Sequence, residues 1–294
     1  MILIGQSIQS MSRTVKEAIE NRRPELITNM AMSQAKSGAD YIDLNLFSIM
    51  TETVAAMQWT VNAVQGVVDL PLLISTTNPE AMEVGLKLCN KRAVINSASG
   101  MEESKEKIFP LAVKYPVDVI VGLYNEQGAP PNADERAILA LELVEYANNL
   151  GISSENIWID PMVYPVSTNQ DQVVACIEFI QMIDDVVPGA KIITGVSNVS
   201  SGVAPKELRE ILNRTFFVIL RRHNQYAGIV NVRDKELVRL DRGELPQLAQ
   251  LVHRAMDEEY TDEASLASEE AAYMKATNFI LGRKPYSRSA FKGF

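Results

Sequence analysis

The chain has 294 residues, 47% hydrophobic and 22% charged, enough for a large core and long for a single domain outside the α/β barrels. A formal net charge of −9 and a pI near 5.0 exclude the clustered Lys and Arg that bind a nucleic-acid backbone. Two cysteines, Cys89 and Cys176, without a CxxC partner, exclude a disulfide framework and a cysteine-based zinc cage.

Short β-rich runs alternate with longer helical ones from the start of the chain. Residues 2–5 (ILIG) read as a strand, 24–39 as a helix with Ile27, Ala31 and Ala35 on one face, and 41–46 (YIDLNL) as the next strand. A helix is expected over 53–67 and a third strand over 70–75. Asn78-Pro79-Glu80 then has the signature of a helix start, an amide cap followed by proline. Residues 92–96 form a fourth strand, 102–114 a helix, and 116–124 a fifth strand. The helix over 134–149 is stopped by Gly151, and the sixth strand, 156–160, is broken by Pro161. Helix 171–183, strand 191–194, helix 205–223 and strand 227–231 complete the series.

Roughly eight β/α units in one chain are the count of a TIM barrel. The apolar, β-branched strands fit parallel strands buried on both faces, and the GxGxxG turn of a dinucleotide-binding sheet is absent. Beyond residue 241, helices are expected over 246–258 and 264–281, with the acidic stretch 257–263 as a solvated face. No Gly-, Pro- or Ser-rich linker intervenes, so residues 1–294 are expected to form one barrel domain with 241–294 packed on it. The N-terminus lacks the basic segment and long apolar run of a signal peptide. No apolar stretch approaches the ~20 residues of a membrane span, so a cytoplasmic location is expected.

In such a barrel the reacting groups stand at the C-terminal ends of the strands. Here they are Gln6, Ser7, Asp43, Asn45, Ser75, Thr76, Asn96, Ser97, Tyr124, Asn125, Asp160, Ser197, Asn198 and Asn231. The set holds five asparagines and two carboxylates, with no lysine or histidine. Lys191 opens its strand and should face the opposite end, which disfavours Schiff-base chemistry. His223 and His253 fall on helical stretches, which disfavours metal-assisted hydrolysis, and no metal is expected. Aspartate and asparagine also gather at strand ends because their side chains bond nearby backbone. A whole ring of them suits a flat heterocycle with a guanidine-like edge, for which Asp160 is the best acceptor.

Short motifs in matching order add a resemblance. "DLN" (43–45), "KRAVINS" (91–97), "FPLAVKY" (109–115), "IDP" (159–161), "GVSNVS" (195–200) and "NRTF" (213–216) resemble the pterin-binding methyltransferases, which share the dihydropteroate-synthase-like barrel. Within that superfamily the sequence is similar to enzymes that move a methyl group between tetrahydrofolate and a corrinoid protein. The likeness covers most of residues 1–232 and is loose over 271–294.

The resemblance implies a pterin in the barrel mouth and a cobalamin carried by a partner protein docked on the C-terminal face, where loop 126–132 could meet it. It implies 5-methyltetrahydrofolate as the product in one-carbon, methylotrophic or acetogenic metabolism, and a homodimer. Asn96 and Asp160 would hold the pyrimidine edge, with Asp43, Asn45, Ser75 and Ser197 around the ring. Asn198 would act at N5, the methyl-carrying atom. Two departures stand out: the family often has an acid where Ser75 lies, and an acid, an arginine and an asparagine are more usual within Gln6-Ser-Ile-Gln9. A non-catalytic pterin-binding barrel and a dihydropteroate-synthase-like enzyme are the alternatives. The second would need a lysine that "GVSNVSS" lacks.

Overall fold

The computed structural model describes residues 1–223, 225–259 and 266–291. Parallel strands β1 (Ile2–Gln9), β2 (Tyr41–Asn45), β3 (Leu72–Ser75), β4 (Val94–Ser99), β5 (Asp118–Gly122), β6 (Ile157–Asp160), β7 (Lys191–Gly195) and β8 (Ala227–Val230) pair in chain order. β8 returns to β1, with Ile2 opposite Ala227 and Gly5 opposite Val230, so the sheet is a closed barrel without an edge.

Helices wrap the barrel: α1 (Arg13–Glu20), α2 (Pro24–Lys36), α3 (Thr53–Gln65), α4 (Pro79–Leu88), α5 (Glu102–Lys107) and α6 (Phe109–Lys114) in the first half. The second half carries α7 (Ala133–Asn149), α8 (Gln170–Val186), α9 (Lys206–Arg222), α10 (Lys235–Asp241), α11 (Pro246–Met256) and α12 (Ser268–Ile280). The expected start of α4 is present: Asn78 Oδ1 accepts from Ala81 N at 2.8 Å, with Pro79 as the first helical residue.

One local expectation is corrected, and two helices, α1 and α10, are additional to those expected. The single helix expected over 102–114 is two, broken at Ile108 because Pro110 has no N–H to continue the ladder. The short amphipathic α1 buries only Val15, Ala18 and Ile19, too brief a pattern to read from sequence. α10 is started by Asp234, whose carboxylate accepts from Glu236 N and Leu237 N.

At the C-terminal end, α11 and α12 pack on α9. Arg214 of α9 ties this region together, bonding Asp234 through Nε and Nη2 at 2.8–3.1 Å and reaching Glu236 and Tyr273. Of the acidic stretch 257–263, residues 260–263 lie outside the described residues, as do 264 and 265 of the helix expected over 264–281. Asp257 is not merely solvated, since it accepts from Arg222 at 2.7 Å.

Along each strand the inward side chains alternate with outward ones. Ile4, Leu73, Val94, Ile120, Trp158, Ile193 and Ala227 meet inside the ring, with Tyr41, Tyr226 and Ile229 against them. Their alternates, such as Ile42, Ile74, Ile95 and Val119, join the larger core under the helices. Trp158 packs edge-on to Tyr41 and Tyr226, with centroids 5.8 and 5.1 Å apart. Lys191 Nζ sits 4.7 Å from the Tyr226 ring and 5.9 Å from the Trp158 ring, so this lysine belongs to the N-terminal end of the barrel, as expected.

β1 continues four residues beyond the expected strand, through a register shift between Gly5 and Ile8. The amide of Gln34, fully buried on α2, fills that irregularity by accepting from Ser7 N at 2.8 Å. A Cβ on Gly5 would stand 2.5 Å from Gln34 Oε1, so glycine is required here by close approach. Gly5→Ala should therefore destabilise the fold by about 1–3 kcal/mol in urea unfolding, because Gln34 must leave Ser7 or α2 must move. A loss below about 0.5 kcal/mol would show that α2 shifts freely.

Candidate active site at the C-terminal mouth

Two residues beyond the floor positions, the next inward layer is mostly polar or glycine, with Ile229 beyond Ala227 as its apolar member. Gln6, Asp43, Ser75, Asn96, Asp160 and Gly195 follow Ile4, Tyr41, Leu73, Val94, Trp158 and Ile193 at that spacing. Above the apolar floor lies a cavity of about 300 Å³, in the size range of small-molecule sites. Gln6, Gln9, Asp43, Asn45, Asn96, Asp160, Ser197 and Asn198 supply its polar side chains together with Ser97 and Tyr124, and Phe47, Met162, Gly195 and Ile229 its remaining wall.

The polar groups are held in specific orientations. Ser75, fully buried, donates its hydroxyl proton to Asp43 Oδ1 and accepts from Asn96 Nδ2 at 2.8 Å. A hydroxyl has one proton. Giving it to Asp43 obliges Ser75 to receive from Asn96, which leaves the Asn96 carbonyl oxygen free for a ligand. Ser197 Oγ donates to Gln6 Oε1 at 2.9 Å, bridging β7 to β1 across the closure of the ring. Asp160 Oδ1 accepts from Met162 N at 2.9 Å, while its other oxygen makes no bond to a described residue.

Both carboxyls resist ionisation. Burial pushes Asp43 up to about 7, against the hydrogen bonds from Ser75 and Asn45 that favour the anion. Burial also pushes Asp160 up to about 6, opposed by the Met162 N–H and by the positive charge of Arg136. A ligand presenting N–H donors would favour the anionic form of each.

Asn198 lies on the 3₁₀ turn Val196–Ser200 that follows β7 and is exposed at the mouth. Its amide makes no hydrogen bond to a described side chain, so donor and acceptor are both open. A Cβ on Gly195 would stand 2.8 Å from Asn198 Nδ2, so glycine at the end of β7 makes room for that amide. No Lys, Arg, His or Cys is among the described residues lining the cavity.

Of the residues expected at the mouth, Gln6, Asp43, Asn45, Asn96, Ser97, Tyr124, Asp160, Ser197 and Asn198 line the cavity. Ser75 does not: it lies beneath the wall and acts on Asp43 and Asn96. Asn125 and Asn231 are likewise elsewhere, accepting from Gln127 N and Arg233 N in local turns. Gln9 joins the site unannounced by the sequence, because the polar end of β1 resembles a loop. Phe47, Met162 and Ile229 carry no chemical signal in the sequence; only the strand register places Ile229 inside.

A family model described as pterin binding enzyme matches residues 11–231. The chain belongs to the pterin-binding enzyme family. The methylcorrinoid:tetrahydrofolate methyltransferase of Eubacterium limosum is 29% identical over 221 residues, 74% of this chain and 80% of that protein. Among solved structures, dihydropteroate synthase from Thermus thermophilus aligns with a TM-score of 0.59 at 18% identity, over 82% of this chain and 93% of that one. The Xanthomonas albilineans dihydropteroate synthase in complex with 7,8-dihydropteroate aligns with a TM-score of 0.59 at 15% identity, over 83% and 92%. These two likenesses establish the barrel fold.

Ser75→Ala would remove the donor to Asp43 and the acceptor for Asn96 together. The affinity for a reduced pterin should fall about five- to tenfold in an anaerobic titration, the effect of about one hydrogen bond. Unchanged affinity would mean that the Asn96 carbonyl needs no support from below.

Proposed function

We propose that this enzyme transfers a methyl group between a methylated corrinoid protein and N5 of tetrahydrofolate. The observation that carries this reading is the pairing of two buried carboxyls with a free, neutral amide at the mouth and no cation among the described residues that line the cavity. The methyltransferase relative from Eubacterium limosum supports it. In this reading Asp160 accepts from the amino and ring N–H groups of the pyrimidine edge, and the Asn96 carbonyl accepts a further N–H. Asp43, Asn45 and Ser197 lie around the ring, and Ser75 supports Asp43 and Asn96 from beneath.

The partner's corrinoid supplies or receives the methyl group as its cobalt–carbon bond breaks or forms, and the electron pair of that bond stays with cobalt. Such an in-line displacement asks the enzyme for no nucleophile of its own. When the methyl arrives, the N5 lone pair forms the new bond, and N5 then loses its proton to solvent. A fixed cation beside N5 would repel the positive charge that develops there. When the methyl leaves, N5 must first be protonated or strongly hydrogen-bonded. The Asn198 amide can accept from N5–H or donate to its lone pair, and so serves both directions. An amide is no proton source, so the proton itself passes through water. The cavity of about 300 Å³ leaves a corrin outside, and in this reading the partner docks over the C-terminal face.

A dihydropteroate-synthase-like activity is the second reading, favoured by the fold of the solved neighbours. The absence of a cation among the described cavity residues weighs against it, with Lys191 held between rings at the opposite end.

The deciding experiment mixes the protein anaerobically with methylcobalamin and tetrahydrofolate and follows the corrinoid spectrum. Enzyme-dependent loss of the methylcobalamin bands with formation of 5-methyltetrahydrofolate is expected. Silence with free cobalamin leads to a tetrahydrofolate titration, in which absence of binding overturns the pterin reading. Asn198→Ala should lower the transfer rate about 10²-fold while changing folate affinity little, as for loss of one transition-state donor. Asp160→Asn should act on affinity first, by about 1.5–3 kcal/mol, the worth of a hydrogen bond to a charged group. Equal losses of rate and affinity in Asn198→Ala would reduce its role to holding the ring.

A further inference from the structure

A buried arginine stands behind the cavity with no anion in contact. Arg136, on the first turn of α7, is 0% exposed. Its Nη1 donates to Gln172 O at 3.1 Å and its Nη2 to Gln172 Oε1 at 2.8 Å, both at the start of α8. Gln172 in turn donates to Pro131 O at 2.9 Å, so the guanidinium is gripped at a fixed place between α7, α8 and the loop before α7. Its Nε has no partner, and no described carboxylate forms an ion pair with it. A guanidinium does not lose its proton in proteins, and a neutral pair of side chains would pack there with less desolvation. A charge retained in such a place acts at a distance. α7 follows β5 and α8 follows β6, so the starts of these two helices, joined by Arg136 and Gln172, flank the end of β6, where Asp160 stands. Cys176 on α8 and Tyr164 in the loop after β6 also interact with this charge. Only Asp160 is a carboxylate.

We infer that Arg136 is a positioning residue for the pterin site, whose buried charge acts through the barrel wall to keep Asp160 ionised and able to accept the ligand's N–H groups. This rests on the reading that the cavity takes a pterin. Burial drives Asp160 towards its neutral form, and the opposing influences are the Met162 N–H and Arg136. A neutral carboxyl would have to spend one oxygen as a donor, mismatching a ligand edge composed of donors. From the other elements, Asp43 on β2 faces the same cavity and is pushed up to about 7, while Cys176 is pushed up to about 12. Tyr124 also lines the cavity, on the loop after β5, and Tyr164 is among the groups that interact with the charge of Arg136.

The sign follows from which form binds. Ligand uptake needs the anion of Asp160, so it is present above the pKa of that group and lost as pH falls through it. Removing Arg136 raises the pKa, and the acid edge of binding moves to higher pH. The test is an anaerobic tetrahydrofolate titration from about pH 5 to about pH 9 on the full chain. Arg136→Met and Arg136→Gln should move the edge up by about one pH unit, weakening affinity about fivefold near pH 6 and little near pH 9. The glutamine variant keeps a donor for Gln172 and guards against loss of fold, which circular dichroism checks. Arg136→Lys, which keeps the charge, should keep the wild-type edge. Because Asp43 titrates in the same cavity, both neutral substitutions are repeated on Asp160→Asn, where they should move the edge no further. Coincident edges in wild type and the neutral variants, a loss equal at every pH, or a shift that persists without the Asp160 carboxylate would each overturn the inference. A wild-type chain that takes up no tetrahydrofolate at any pH would overturn the pterin reading instead.

Discussion

The site depends on one geometric constraint, the alternation of inward and outward side chains around a closed parallel ring. Closure leaves each strand only two faces, and the outward one is taken by the helices. Inward positions two residues apart therefore stack as layers along the barrel axis. The lower layer holds Ile4, Leu73, Val94, Ile120, Trp158, Ile193 and Ala227, and the aromatic groups of Tyr41 and Tyr226 finish it. This layer excludes water from below, so that whatever stands two residues further on faces an apolar floor. Asp43, Ser75, Asn96 and Asp160 stand there because Tyr41, Leu73, Val94 and Trp158 are where they are. A one-residue slip in any strand would exchange its site residue for a core residue.

That placement sets the electrostatics. Two carboxyls above an apolar floor, with no cation among the described residues that line the cavity, are held well above the usual range of aspartate. They are not equivalent. Asp43 is 3% exposed and receives the Ser75 hydroxyl, so its burial is partly offset by hydrogen bonds from within the protein. Asp160 receives only a backbone N–H and keeps one oxygen open to the cavity. The open carboxyl is the one suited to a ligand, and the satisfied one fixes its neighbours. Ser75 is the link, since its single proton determines which way the Asn96 amide faces.

Much of this is legible in the chain itself, for physical reasons that also mark where legibility ends. Strands buried on both faces read as apolar runs, so β2 to β8 are identifiable and with them the residues at their ends. The direction of a parallel strand tells which end is which, and this puts Lys191 at the floor end before any contact is known. β1 reads short because Gln6-Ser-Ile-Gln9 lacks an apolar run; its continuation depends on Gln34, a residue of another element that fills the irregularity. Asn125 and Asn231 group with the site in the sequence because an asparagine at a strand end looks the same whether it faces a ligand or caps a turn. Arg136 cannot be found from sequence at all. On the expected helix it is one more charged residue, and its burial arises from the packing of α7 on α8.

The neutral mouth and the charged wall are complementary. At the pyrimidine side of the proposed ligand the charge is negative and needs help to persist, which a cation can give without touching the ligand if it stands behind the wall. At the proposed reacting atom a cation of either kind would oppose one direction of transfer. Arg136 meets the first requirement without violating the second, because the barrel wall lies between it and the cavity and it is not among the lining residues. Gly195 meets a steric version of the same demand, keeping space for the Asn198 amide at the strand end where a side chain would displace it. The neutrality of the mouth is thus not a lack of functional groups. It is the condition under which one amide can face the same nitrogen whether it holds a proton, a lone pair or a methyl group.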